Sequence, residues 1–175
     1  MPGDRFIDAL NRQVAAEFGA SHQYVAIATH YEAQTLPRLA AFFYEQAVEE
    51  RGHAMMMVKY LLDTDSPVRL TEVAAPLLEF EDHLAPISVA LEQEREVSRQ
   101  ISDLFSLARE ESDYLSEQFV QWFLKEQVEE EATMLELLEV AERVRDFPMT
   151  LEEYIVREHS VGAGEDPMAP TPAGG

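Results

Sequence analysis

The chain has 175 residues, of which 46% are hydrophobic, and its 34 acidic against 13 basic residues give a formal net charge of -21. That charge repels phosphate backbones and anionic lipid surfaces and attracts cations, so we expect no nucleic-acid partner and no membrane partner. The sequence contains no cysteine, which excludes disulfides and thiolate-held metal sites. Since it also lacks a signal-like N-terminus and any run of about 18 apolar residues, we expect a cytoplasmic protein.

The apolar pattern predicts two long helices in the first part of the chain. The first runs from about 4 to 33 with Asp4 as its N-cap, and the second runs from about 37 to 63. Thr35 lies near the cap of the second helix and Pro37 in its first turn. Because the gap between the helices is very short, they should be antiparallel neighbours.

The remaining sequence predicts a long connection and three more helices. Residues 64–82 form the connection, helix three runs to about 111, helix four spans about 113–145, and a short fifth helix spans about 150–159. A bundle helix of this size is about 40 Å long, and an extended connection of this length can cover that distance, so helix three can start parallel to helix two. The predicted fold is an all-α four-helix bundle with one long crossover between helices two and three, plus a short fifth helix.

The composition changes near the C-terminus. The last residues, VGAGEDPMAPTPAGG, are rich in glycine and proline and offer few side chains for a core. We therefore predict one domain over residues 1–160 and a flexible tail over 161–175.

Each long helix carries polar residues on its apolar face near mid-length. These are Glu17 and Tyr24 on the first, Glu50 and His53 on the second, Glu94 on the third, and Gln127 and Glu130 on the fourth. A buried carboxylate must be protonated, paired or bound to a cation, and for Glu50 and His53 alone a core ion pair is as good an interpretation as a metal site. Acids on all four helices instead indicate a shared polar pocket. Its oxygen-rich set with one imidazole favours iron or manganese over a thiolate zinc site.

The positions of these residues resemble those of the bacterial non-haem ferritins, over about residues 4–160. The likeness rests on Glu17 and Tyr24, E-x-x-H at 50–53, Glu94 in A-L-E-Q-E, and Q-W-F-L-K-E-Q-V-E-E at 121–130. It implies a ferritin-like di-iron domain in which the bundle encloses a ferroxidase centre. Two irons about 3.5–4 Å apart can share one dioxygen.

The resemblance also implies a role for each site residue. One iron would be bound by Glu17, Glu50 and His53, and the second by Glu50, Glu94 and Glu130 with Gln127 nearby. Tyr24 is the candidate catalytic residue, which hydrogen-bonds a ligand or supplies an electron; a plain core tyrosine is the alternative. Glu49, Glu126 and Glu129 would line a third, weaker iron position, for which a solvated helix face is an equal alternative.

The function that the resemblance implies is iron storage: Fe(II) is oxidised by dioxygen or peroxide, and ferric mineral is kept inside a homo-oligomeric cage of twenty-four subunits. Haem is not expected, because bacterioferritins have a haem-ligating methionine where this chain has Arg51. Two alternatives stay open. One is a small di-iron oxidase or peroxidase of the ferritin-like superfamily that stores nothing, and the other is an acidic helical scaffold or passive cation buffer.

Overall fold

The computed structural model describes residues 2–159 and 166–174, and it confirms the predicted all-α fold. The helices in this part of the chain are α1 (Asp4–Ala33), α2 (Pro37–Asp63), α3 (Ala85–Glu110), α4 (Tyr114–Arg143) and α5 (Pro148–Glu158). None of the described residues forms a β-strand. Regular apolar spacing made the helices predictable, and proline at the start of α2 and α5 marks where they begin.

The four long helices pack as two pairs, α1 with α2 and α3 with α4, and α1 also packs against α3. The short α5 contacts α2 and α4. Between α2 and α3 the chain forms no helix or strand from 66 to 80, as expected for the crossover. One long crossover between two helical hairpins is the connectivity of ferritin-like bundles.

Two buried amide side chains on α1 fix the path of the crossover. Asn11 donates to the Pro67 carbonyl at 3.0 Å and accepts from the Arg69 amide at 2.6 Å. Gln23 donates to the Leu77 carbonyl at 3.0 Å and accepts from the Leu77 amide at 2.8 Å. Because a segment without secondary structure leaves its backbone groups unpaired, these bonds hold it along α1.

The helix starts differ in part from the predicted caps. The N-cap of α1 is Gly3, so the prediction of Asp4 as N-cap is wrong; Asp4 lies in the first turn, where its charge suits the helix dipole. Thr35 lies beside the N-cap of α2, Leu36, which makes no side-chain capping bond. Asp113 is the N-cap of α4 and accepts a backbone hydrogen bond in the first turn at 3.2 Å.

A carboxylate from α5 supplies the cap that α2 lacks. Glu152 is only 5% exposed, and it accepts hydrogen bonds from the amides of Arg38 at 2.9 Å and Leu39 at 2.8 Å. The first amides of a helix have no intrahelical partner and carry partial positive charge, so a buried carboxylate is well placed there. Glu152 therefore joins the fifth helix to the start of the second.

The apolar core forms two clusters with a polar layer between them. One cluster includes Tyr31, Phe43 and Leu151, near α5, and the other includes Phe6, Leu61 and Phe123, at the opposite end of the bundle. The buried layer consists of Glu17, Glu50, His53, Glu94, Gln127 and Glu130. Val25 and Leu115, two large apolar residues of the long helices, lie outside both clusters and are 39% and 68% exposed. The polar interruptions seen in the sequence thus lie at one level of the bundle.

The C-terminal residues of the described chain lie against the bundle. The amide of Ala173 donates to the Met55 carbonyl at 3.0 Å, and Asp166 accepts from the Trp122 indole at 3.1 Å. The predicted domain boundary at 160 and residues 161–165 of the predicted tail lie outside the described residues, so the flexibility of the tail stays a prediction. No helix in the described ranges is long and apolar enough to span a bilayer.

Candidate metal centre

The residues predicted to bind the first iron lie together between α1 and α2. Potential ligand atoms of Glu17, Glu50 and His53 all lie within 4.8 Å of one another, and these residues form the first ligand group. All three side chains are buried. The Nδ1 atom of His53 lies 3.3 Å from Glu50 Oε2. The three-residue spacing in α2 places both side chains on one face of the helix, as the sequence indicated.

The residues predicted to bind the second iron form another buried set. Glu50, Glu94 and Glu130 offer oxygens within 4.8 Å of one another, and we call them the second ligand group. Glu94 accepts hydrogen bonds from the Tyr24 hydroxyl and from Gln127 Nε2, the latter at 3.0 Å. Because Glu50 belongs to both groups, the two positions adjoin and share one carboxylate. Tyr24 and Gln127 act here as partners of a candidate ligand.

A third ligand group consists of Glu49, His53 and Glu126, with ligand atoms again within 4.8 Å of one another. Glu49 is exposed and Glu126 is half-buried, so this group opens toward solvent. The other predicted member, Glu129, is not part of the group. Its side chain is 65% exposed, and its carboxylate lies 3.6 Å from Lys125 Nζ. For Glu129 the structure therefore favours the solvated-face alternative.

Burial raises the pKa of every carboxyl group in the polar layer. For Glu17 and Glu50 the pKa lies well above its usual value because of burial first and neighbouring carboxylates second. Burial, together with nearby acids, raises the pKa of Glu130 to about 9. The pKa of Glu94 is raised by burial although hydrogen bonds to its ionised form oppose the shift. Without a cation the layer therefore retains protons that a bound divalent ion would displace.

Two carboxylate oxygens in the layer receive no hydrogen bond from an N–H or O–H donor of the described chain. Glu17 Oε2 and Glu50 Oε1 are buried, and without a cation the only hydrogen bond open to these two oxygens is a retained proton shared between the two carboxyl groups. A buried polar atom without a partner is destabilising by about 1–3 kcal/mol, more when charged, so it calls for a ligand. Several carboxylate oxygens together with one imidazole nitrogen, from His53, are the ligand types that non-haem iron and manganese bind. The residues present therefore fit Fe(II).

The side chains around the centre hold its members in place, and two of them escaped the sequence analysis. Gln13 donates to Glu17 Oε1 at 2.9 Å, and Gln46 donates to Glu49 Oε2 at 3.0 Å. Gln13 precedes Glu17 by four residues, which is the spacing of neighbours on a helix face and was the available signal. The Trp122 ring packs edge-on against the ring of His53, with centroids 5.7 Å apart. Such partners orient ligands and tune metal binding.

The fold and the polar layer define a class of protein: helical bundles that enclose a carboxylate-rich metal centre. The family model described as Ferritin-like domain matches residues 7–144. The chain belongs to this ferritin-like family, and the resemblance found in the sequence is confirmed.

Several relatives match over nearly the whole chain. Ferritin BfrB of Mycolicibacterium smegmatis is 47% identical over 171 residues, covering 98% of this chain and 94% of the relative. A bacterial non-heme ferritin of Staphylococcus epidermidis is 36% identical over 154 residues, covering 88% and 93%. Among solved structures, a closed form of Archaeoglobus fulgidus ferritin, engineered by site-directed mutagenesis, is similar with a TM-score of 0.87 at 28% identity, covering 94% of this chain and 100% of that one.

Proposed function

We propose that the protein is an iron-storage ferritin that oxidises Fe(II) to Fe(III) at a di-iron centre inside each bundle. The observation that carries this proposal is the pair of buried ligand groups that share Glu50 and leave two carboxylate oxygens without an N–H or O–H donor from the described chain. Membership of the ferritin-like family and near-full-length identity to relatives named ferritin support the storage role.

In this proposal Fe(II) is the substrate, and the chain binds two ions side by side. Glu17 and His53 hold one ion, Glu94 and Glu130 hold the other, and Glu50 contacts both. Each Fe(II) gives up one electron; dioxygen takes the two electrons and two protons and leaves as hydrogen peroxide. Carboxylates are hard ligands, and the negative charge they carry once deprotonated stabilises the ferric product. Peroxide as oxidant takes two electrons and two protons to become two water molecules.

The storage role requires an assembly, which we propose to be a homo-oligomeric cage of twenty-four subunits as the resemblance implies. Haem has no part in the proposal, since Arg51 occupies the position of the bacterioferritin methionine. That absence stays a prediction, because one 44% identical relative, from Mycobacterium tuberculosis, bears the name bacterioferritin. Cytoplasmic localisation likewise stays an expectation.

Oxidation and size together test the function. Purified apoprotein should consume dioxygen and form ferric product faster than buffer alone, and light scattering should give a mass near half a megadalton, from chains of 19.9 kDa each. Oxidation by a dimer that retains no iron would favour the non-storing di-iron oxidase. An acidic scaffold or cation buffer would consume no dioxygen, and calcium would compete well for its site.

Replacing Tyr24 with phenylalanine should slow Fe(II) oxidation by about tenfold, because hydrogen-bonding partners of metal ligands typically contribute 10- to 100-fold to affinity or activity. The variant loses the hydroxyl that donates to Glu94. Stopped-flow initial rates and calorimetric titration with redox-inert Zn(II) measure both consequences. Weaker Zn(II) binding would assign Tyr24 to ligand positioning, and a slower rate at unchanged affinity would assign it to electron supply.

Tyr31→Phe is the matched control for this variant. Tyr31 is also fully buried, but its hydroxyl donates to the His83 carbonyl at 2.7 Å, in the apolar cluster near α5. Its oxidation rate should equal that of the unmodified protein. If both phenylalanine variants oxidise Fe(II) at the same rate, Tyr24 is a core tyrosine with no role in the oxidation.

A further inference from the structure

The C-terminal segment 166–174 connects α4 with α2 on the side of the bundle where the third ligand group opens. At one end Asp166 contacts two side chains of α4, and at the other the amide of Ala173 donates to the Met55 carbonyl of α2 at 3.0 Å. Lys125 Nζ lies 3.6 Å from Asp166 and 3.9 Å from Oε1 of Glu126, which belongs to the third ligand group. A segment predicted from its composition to be a flexible tail therefore lies, at Asp166, beside the third ligand group.

Asp166 is held by contacts to three different groups. Its Oδ2 accepts from the Trp122 indole at 3.1 Å and lies 3.6 Å from Lys125 Nζ, while its Oδ1 accepts from the Met168 amide at 2.9 Å. A turn follows, in which the Ala169 amide donates to the Asp166 carbonyl at 3.0 Å. The backbone bond and the indole bond lower the pKa of Asp166, so the group is an ionised acceptor at neutral pH.

The Trp122 indole, which donates to Asp166, also packs against His53 of the metal centre. Trp122 packs edge-on against His53 with ring centroids 5.7 Å apart, and against Phe123 at 4.9 Å. Phe123 also packs edge-on against His53, with ring centroids 5.8 Å apart. His53 belongs to the first and third ligand groups. The orientation of its imidazole therefore depends on the aromatic pair, and the position of one member of that pair depends on Asp166.

We propose that Asp166 is a positioning residue for the metal centre: it fixes the Trp122 indole, which fixes the His53 ring, so that the C-terminal segment sets the affinity of the site for divalent metal. The inference deepens the proposed function, since it assumes that the ligand groups bind metal. It does not require that the metal be oxidised. The indole nitrogen of Trp122 can only donate a hydrogen bond, and Asp166 accepts it. The position of the indole therefore depends on this bond.

The experiment uses the full-length apoprotein and its single tryptophan, which makes intrinsic fluorescence a report on Trp122 alone. Asp166→Ala should shift the emission to longer wavelength, as the indole loses its acceptor and gains solvent. It should also weaken Zn(II) binding, measured by calorimetry, by about tenfold, the lower end of the range for outer partners of metal ligands. Asp166→Asn keeps an acceptor oxygen without the charge, and should recover the emission and most of the affinity.

Two comparisons separate positioning from other effects. Asp103→Ala removes the same charge from an exposed site on α3 and should leave both readouts unchanged. In a Trp122→Phe background, Asp166→Ala should cause no further loss of Zn(II) affinity, because the effect passes through the indole. Loss of equal size in that background would show a direct electrostatic effect and overturn the proposal.

A second result would also overturn it: Asp166→Ala shifts the emission but leaves Zn(II) affinity unchanged, which is the outcome for simple packing of the tail. The experiment distinguishes a failure of the proposed ferroxidase function from a failure of the positioning role of Asp166. If the unmodified protein binds Zn(II) through this network but does not oxidise Fe(II), the positioning role stands and the ferroxidase assignment falls.

Discussion

Substituting Glu50 with alanine should lower the rate of Fe(II) oxidation by about 100-fold or more. Outer partners of metal ligands alone contribute up to about 100-fold, and Glu50 is the one carboxylate shared by the first and second ligand groups. Its loss removes an oxygen donor from both ions and the bridge between them. Stopped-flow absorbance of the ferric product and an oxygen electrode measure the rate.

Stability and activity should move in opposite directions when Glu50 is replaced by glutamine. Glu50 is a buried carboxyl group with no N–H or O–H donor on its Oε1 and with other acids around it, so replacing it by a neutral amide relieves an unfavourable burial in the apoprotein. Glu50→Gln, which keeps the volume, should unfold at a temperature equal to or above that of the unmodified apoprotein and still lose oxidation. Loss of activity accompanied by a large fall in the unfolding temperature would point to damage of the fold.

Glu45→Ala is the matched control, because Glu45 lies on the same helix but is exposed. It should retain the full rate of oxidation. If the Glu50 variants oxidise Fe(II) as fast as this control, the chemistry does not occur at the centre described above, and the di-iron proposal is wrong.

The metal-free protein should lose stability as pH rises from about 7 to about 9, the range above the ordinary pKa values of carboxyl and histidine groups. Burial raises the folded-state pKa of Glu130 from 4.5 to about 9, and raises the pKa of Glu17, Glu50 and Glu94 as well. Between the unfolded and folded pKa values the folded state binds more protons than the unfolded state. The free energy of unfolding therefore falls with rising pH, by about 1.4 kcal/mol per pH unit for each excess proton.

Metal should remove this pH dependence. Zn(II) displaces the retained protons and neutralises the carboxylates, so the unfolding temperature of the loaded protein should stay nearly level over the same range. Thermal unfolding with and without Zn(II) gives both curves, and Glu130→Gln should make the metal-free curve less steep, because it removes one of the four groups with a raised pKa. A metal-free protein that becomes more stable toward pH 9 would contradict the raised pKa values.

The helices and the polar layer were predictable because both are periodic features. Each buried acid replaces an apolar residue at a position where the three-to-four spacing requires one, so Glu17, Glu50, Glu94 and Glu130 stand out without any structure. The predicted connectivity also matches the structure, because a connection long enough to run the length of the bundle is incompatible with a bundle that has only short loops. Periodicity thus determined the elements and the residues that interrupt them.

What the sequence did not predict depends on contacts between distant segments. Glu152 resembles any acid on a short helix until the fold brings it 2.9 Å from the Arg38 amide. Asn11 and Gln23 bind backbone groups of the crossover, and backbone groups have no sequence signature. Composition placed Asp166 in a predicted flexible tail, although it contacts Trp122. Such pairs follow from tertiary geometry and not from local spacing.

The division of the core into two apolar clusters has a consequence for the proposed oxidation of iron. Close-packed apolar interiors resist changes of volume, and the carboxylate layer lies between two such clusters. Ferric ions hold oxygen ligands at shorter range than ferrous ions. In the proposed reaction the two clusters would hold the helices on either side of the centre, while its carboxylates adjust to the shorter bonds of ferric iron.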